Sequence, residues 1–202
     1  MAYKKDSPPD RIMKAGRRLF FAQGFERVST DALAKEASVS KATLYKYFPN
    51  MVEVLKAVTT AEAENFEPEE AVKIDSLEDL RGVLIRFGTD LLRFLNQADI
   101  QQFDHLMHEE ARAYPDIASE FYHAAYGRTL SVLSGFIRQA ADQGFVDHRL
   151  SPEEMAEQLV GMWEGIPMVK LKMGVTKKPF PKPEDWSRKC VDTLLRTEGM
   201  AG

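Results

Sequence analysis

The chain is short of several things at once. Among its 202 residues there is one cysteine, Cys190, so no internal disulfide can form and no cysteine cluster can hold a metal. A lone cysteine fits a reducing compartment. No stretch approaches the ~18 unbroken apolar residues that a membrane helix needs. The opening residues, MAYKKDSPPD, are charged where a secretory leader is apolar. These absences lead to the expectation of a cytoplasmic chain with no membrane partner. Alternating strand patterns, internal repeats and low-complexity tracts are also lacking. There is no phosphate loop, no GxSxG elbow and no HExxH helix. The motif-bearing enzyme classes are thereby set aside, leaving an all-α enzyme without a recognisable motif as one alternative. Nothing in the chain calls for a cofactor.

What is present is ordinary in composition and uneven in charge. The chain is 44% hydrophobic and 29% charged, with a formal net charge of −4, which is typical of a globular domain. Residues 1–56, however, hold eleven Lys/Arg against six Asp/Glu, while residues 57–202 hold sixteen against twenty-five. A basic front on an acidic body suits attraction of phosphate by the front alone. The same split is also what chance clustering on a solvated surface would leave.

Helix signals run throughout, so the fold class expected is all-α. Ser7-Pro8-Pro9-Asp10 reads as a serine cap with proline at the first helical position. Ile12, Ala15, Leu19 and Phe20 follow at helical spacing, Gly24 ends the helix, and Phe25 can fold back as an apolar lid. Ser29 can cap a short second helix carrying Leu33, Ala34 and Ala37; Ser40 can cap a third that Pro49 stops; Asn50 and Glu53 pair as the start of a fourth. The tight connection at Ser38-Val39 sets the second and third helices at a steep angle, as in a helix-turn-helix. Val39, Leu44 and Phe48 can then turn inward. Lys41, Thr43, Tyr45, Lys46 and Tyr47 face out, a surface too polar for a core and too aromatic for idle solvation. A second helix of this kind enters the major groove of DNA with its first residues at base edges.

The stretch LFFAQGFERVSTDALAKEASVSKATLYKYFPN resembles the DNA-binding domain of the TetR/AcrR transcriptional regulators, over about Asp10 to Val58. The resemblance implies that Ser40, Lys41, Thr43, Tyr45, Lys46 and Tyr47 contact DNA. It also implies that Ser29 and Thr30 sit near a phosphate, where free helix N–H groups favour an anion. Two departures stand out. The family commonly has glycine in the turn where this chain has Ser38, and often lysine after the asparagine where this chain has Met51. A serine at positive φ carries a cost, so the first implies a slightly different turn; the second puts one phosphate contact in doubt.

In the remainder, Glu67-Pro68-Glu69-Glu70 ends or kinks the fourth helix. Leu77, Leu80, Leu84, Phe87, Leu91 and Phe94 then form an apolar stripe, and Ile100 to Tyr114 another, stopped by Pro115. A long helix is expected over 117–143 and a second from Ser151-Pro152 to about 173, kinked or ended at Pro167. A loop over 177–183 and a last helix with Trp186, Val191, Leu194 and Leu195 complete the chain. The two long helices have apolar residues on more than one side, so they are buried on more than one side.

The resemblance implies that two late helices build a four-helix bundle with a second subunit, giving a homodimer that matches a palindrome. It also implies an apolar effector pocket. Candidate linings are Phe87, Leu91, Phe103, Met107, Tyr126, Phe136, Met162 and Trp163, each of which can equally be plain core, with His108 or Arg112 as polar anchor. His105 and His108, with Glu109 and Glu110 beside them, share a helix face but have no cysteine or third histidine near in sequence, so no metal site is assigned. The whole reads as residues 1–56, a helix-turn-helix domain, and residues 57–202, a regulatory and dimerisation domain. The function expected is a ligand-responsive regulator, most often a repressor, on a double-stranded DNA operator. A ligand-independent regulator and a helical interaction module remain as alternatives.

Overall fold

The computed structural model describes residues 7–66, 72–146 and 149–199; the expected break at Glu67-Pro68-Glu69-Glu70 lies outside them. The described residues form helices α1 (Pro8–Gln23), α2 (Thr30–Glu36), α3 (Lys41–Tyr47), α4 (Met51–Ala63), α5 (Leu77–Leu95) and α6 (Ala98–Glu110). These are followed by α7 (Pro115–Tyr122), a π-helical turn at His123–Gly127, α8 (Arg128–Asp142), α9 (Pro152–Lys172) and α10 (Pro183–Gly199). No strand forms among the described residues.

Side-chain caps set most of the starts. Ser7, Ser29, Ser40, Asn50, Ser76 and Ser151 each accept from a backbone N–H of the first turn. The Glu154 carboxylate also accepts from the Ser151 N–H, closing a capping box. Each cap satisfies a donor the helix leaves orphaned and is worth about 1 kcal/mol. At the other end of α1, Gly24 takes φ +83 and donates to the Phe20 carbonyl. Phe25 then folds back edge-on to Phe20, ring centroids 5.2 Å apart.

Three local expectations need correction. The helix expected over 117–143 begins at Pro115 and is broken by the π-turn. Pro115 therefore opens α7 as well as following α6, because proline lacks the N–H that a first turn cannot use. The wider π-turn re-phases the helix, so the apolar faces before and after it are not one continuous pair. In α9 the helical geometry fails at Gly165, two residues ahead of Pro167. A proline ring crowds the preceding turn and disfavours α geometry just before it, and the glycine takes the deviation. Finally, Leu77 is exposed as the first residue of α5, so the buried stripe begins at Leu80.

The chain forms two compact units, one comprising the described residues to Asn65 with Ala98–Ala125, the other Phe66–Gln97 with the residues from Tyr126 on. The split at 56/57, drawn from charge and motif, stays a proposal about function. In the first unit α1 packs on α2, α3, α4 and α6, and α4 packs on α7. Its core joins Ile12, Phe20, Leu33, Leu44, Val54 and Leu55 to Phe103 and Met107 of α6. In the second unit α5 packs on α10 and α8 on α9. There Gly88 lets Trp163 approach the α5 backbone: a Cβ at Gly88 would stand 2.3 Å from the indole. Asn96 bonds both the carbonyl and the N–H of Phe180, at 2.7 and 3.2 Å, which pins the loop before α10.

One ion network within the first unit was not foreseen. The Arg17 guanidinium donates to both oxygens of Glu62, at 2.6 and 3.1 Å, and to Asp99 at 2.7 Å. The Glu62 side chain is fully buried. The bond to Glu62 holds the Arg17 pKa above its ordinary value. For Asp99, burial pushes the pKa up, but the hydrogen bond and charge of Arg17 prevail and the net shift is down. A lowered carboxyl pKa gives stability that is present above the ordinary carboxylate range and is lost as pH falls.

Removing one partner of a buried pair leaves an uncompensated charge. Arg17→Met is therefore expected to cost about 3 kcal/mol in urea unfolding at pH 7, while Arg17→Met/Glu62→Leu recovers most of it. The gap between wild type and Arg17→Met narrows below about pH 4. Equal costs for the single and double variants would contradict this reading.

Candidate nucleic-acid interface

The turn between α2 and α3 orients the site. α2 ends with the Ser38 N–H bonded to the Lys35 carbonyl at 3.1 Å and the Val39 N–H to the Ala34 carbonyl at 3.0 Å. This is the pairing of a Schellman end, whose left-handed residue is usually glycine. Ser38 occupies it at φ +53, the one non-glycine at positive φ among the described residues. Arg11 of α1 braces the turn, its Nη1 donating to the Ser38 carbonyl at 3.2 Å. Nothing in the local sequence marks Arg11 for this role, since the partner lies 27 residues away.

Past the turn, Leu44 is wholly buried and Phe48 nearly so, which turns the other side of α3 outward. Lys41, Tyr45, Lys46 and Tyr47 are exposed and Thr43 is half-buried. Tyr45 and Tyr47 keep 49% and 40% of their surface. The Lys46 ammonium sits 5.5 Å from the Tyr47 ring centre, a cation–π distance. Ser40 Oγ accepts from the Thr43 N–H at 3.0 Å and lies 2.8 Å from Thr43 Oγ1, so both hydroxyls stand at the start of α3.

The start of α2 comes alongside. Ser29 is exposed at the α2 cap. Thr30 Oγ1 is 3.5 Å from the Tyr45 hydroxyl. Asp31, in the first turn of α2 and not among the candidates, holds the Lys41 ammonium at 2.7 Å. That hydrogen bond, then the charge behind it, raises the Lys41 pKa. The eight candidate residues therefore lie at the cap and first residue of α2 or at the cap and along α3, with the acid Asp31 beside them. At the next junction, Met51 opens α4 half-buried against the core. The Lys56 ammonium is committed to Glu120 at 2.7 Å.

The ten candidate pocket residues fall in two groups. Phe103 and Met107 are buried in the first unit's core, and His108 and Arg112 are exposed on that unit. The His108 ring nitrogen Nδ1 is 2.7 Å from the Asp104 carbonyl oxygen. Among the described residues no three His, Cys, Asp or Glu side chains gather as a metal cage. In the second unit, Phe87, Leu91, Phe136 and Trp163 are buried, with Met162 packed against them. Phe87 stacks on Trp163 at 6.2 Å between ring centres, and Phe66 meets Phe87 at 5.6 Å. Tyr126 donates weakly to Glu164 at 3.4 Å. The fully buried indole N–H of Trp163 has no hydrogen-bond partner among the described residues. A separate open groove of about 640 Å³ in the second unit is lined by Ile166, Pro167, Phe180 and Trp186 with Lys170 and Lys189. None of the ten lines it.

Comparison with known proteins agrees with this geometry. Residues 12–58 match the model for bacterial regulatory proteins of the TetR family. Residues 82–197 match the model for the C-terminal domain of AefR-like transcriptional repressors. Among solved structures, the flavonoid-responsive regulator FrrA is 26% identical, TM-score 0.77, over 96% of this chain and 98% of that one. A TetR-family regulator from Mesorhizobium loti is 20% identical, TM-score 0.79, over 94% and 96%. FadR from Bacillus subtilis, in complex with stearoyl-CoA, is 14% identical, TM-score 0.68, over 92% and 96%. No curated protein matches the chain.

The turn residue offers a direct test of the local account. A left-handed conformation costs a residue with a Cβ about 1–2 kcal/mol, part of which glycine returns as unfolded-state entropy. Ser38→Gly is expected to gain up to about 1 kcal/mol in urea unfolding and Ser38→Val to lose about 1–2 kcal/mol. The same sign for both would mean that φ at this position does not govern the turn.

Proposed function

The chain belongs to the TetR family of bacterial regulatory proteins, and from that premise we propose that it is a ligand-responsive regulator, most simply a repressor, binding a palindromic DNA operator as a homodimer. The observation that carries the DNA-binding part is the outward face of α3. Its two buried residues, Leu44 and Phe48, fix the helix, while Lys41, Tyr45, Lys46 and Tyr47 stay exposed. Lysines reach phosphate or guanine, tyrosine hydroxyls reach phosphate oxygens, and the Thr43 methyl suits the thymine methyl. Ser40 donates from the start of the helix, and Ser29 and Thr30 reach the backbone from α2. The basic segment 1–56 brings this face to a polyanion, and the acidic remainder is kept off it. Family and fold are those of transcriptional regulators, so we assign no catalytic residue. Among the described residues no helix is long and apolar enough to cross a membrane.

The dimer reading is supported by exposed apolar side chains in the second unit. Ile166, Val169 and Met173 on and just after α9, with Val175 beyond, are 66%, 47%, 76% and 70% exposed. Such a patch on a water-facing helix marks a contact surface. A twofold partner covering it would give a homodimer carrying two copies of α3, the number a palindromic operator takes.

The effector reading is supported by the aromatic group around Trp163. Its orphaned indole N–H costs about 1–3 kcal/mol unless some acceptor meets it. Phe66 and Phe87 offer flat apolar faces beside it. The likeness to a flavonoid-responsive regulator makes planar aromatic molecules bearing oxygen acceptors the first probes. An effector of this kind favours the conformations that do not fit the operator.

The test is fluorescence anisotropy on a duplex recovered by retention of genomic fragments. Lys46→Ala and Tyr47→Ala are each expected to weaken binding about tenfold, equivalent to about 1.4 kcal/mol, without changing thermal unfolding. Unchanged affinity in both means that another face reads the DNA. A flavonoid panel is expected to release the duplex from wild type and to lose potency against Trp163→Phe. A panel without effect on wild type removes flavonoids as the effector class.

A further inference from the structure

We propose that Asp31 is an affinity brake: it occupies Lys41 and keeps the reading surface from binding DNA of any sequence too tightly. The inference rests on α3 being the DNA-contacting helix.

The geometry is specific. Asp31 lies in the first turn of α2 and Lys41 in the first turn of α3. Their charged atoms meet at 2.7 Å, with both side chains largely exposed. The adjoining contact between Thr30 and Tyr45 joins the same two helices, so the acid sits within the surface formed by the eight candidate residues. Asp31 therefore brings a negative charge to a face that otherwise carries two lysines and no second acid, since α3 itself holds none.

Sequence-independent DNA binding is almost wholly the release of counterions by cations that neutralise phosphates. A lysine already paired releases fewer. If DNA takes Lys41 away, Asp31 is left bare beside the phosphates and repels them. An exposed pair is worth at most about 1 kcal/mol to the fold, and an acid in a helix's first turn adds a dipole contribution of similar size.

The test uses the full chain and a random-sequence duplex of about 30 base pairs, titrated by anisotropy at several salt concentrations. Asp31→Asn keeps the shape and removes the charge. It is expected to bind about fivefold tighter near 0.1 M salt, with the slope of log K against log salt steeper by about 0.9, the value of one further phosphate contact. In Lys41→Ala/Asp31→Asn more than half of the gain disappears, and thermal unfolding of all variants stays close to wild type. Weaker or equal binding by Asp31→Asn, where wild type binds, overturns the brake and makes Asp31 a positioning residue for Lys41 or a bystander. If neither wild type nor Asp31→Asn binds any duplex, the DNA-binding reading itself has failed.

Discussion

Burial of Leu44 and Phe48 against the α1–α2–α4 core is the contact on which the rest depends. α3 has only seven residues, too few to hold a helix in water by itself. Its stability comes from those two side chains, the Ser40 cap and the turn at Ser38. Because Leu44 and Phe48 are four residues apart, they fix rotation about the helix axis as well as position. Once that rotation is fixed, the outward direction of Lys41, Tyr45, Lys46 and Tyr47 follows, and so does whatever the surface recognises.

The same core extends further along the chain than charge alone suggests. α6 and α7 belong to the unit that carries α3, held by Phe103, Met107 and Ile117 within the apolar core. Polar ties reinforce this packing. Arg17 links α1 to α4 and α6 through Glu62 and Asp99, and Tyr114 donates to Glu26 at 3.1 Å in the loop after Gly24. Phe21 stacks on Phe103 at 5.4 Å. A displacement of α6 therefore acts directly on α1, against which α3 is seated.

Much of this was legible in the sequence, because caps and apolar spacing are local. The caps at Ser7, Ser29, Ser40, Asn50 and Ser151 and the Gly24 turn occur where residue chemistry put them, and α3 runs from Lys41 to Tyr47 because Ser40 and Pro49 bound it. At Ser38 the family resemblance implied a cost and a slightly altered turn; the chain keeps the glycine-like turn with serine at positive φ. What stayed hidden is non-local or cooperative. Arg11 meets Ser38, Arg17 meets Asp99 and Asn96 meets Phe180 across 27, 82 and 84 residues, and no spacing rule links such pairs. The π-turn at 123–127 is invisible to a 3.6-residue period, which reads through it as helix. Asp31 was passed over because an acid in a helix's first turn is ordinarily a dipole partner, and only the fold brings Lys41 beside it.

Hydroxyl-radical footprinting of the full chain on a duplex recovered from genomic fragments tests the central claim most directly. Two copies of α3 seated in successive major grooves protect two patches on one face of the duplex, about 34 Å apart and related by a twofold axis. Protection that is continuous around the helix, or a single patch without symmetry, would contradict the claim that this face reads DNA in pairs.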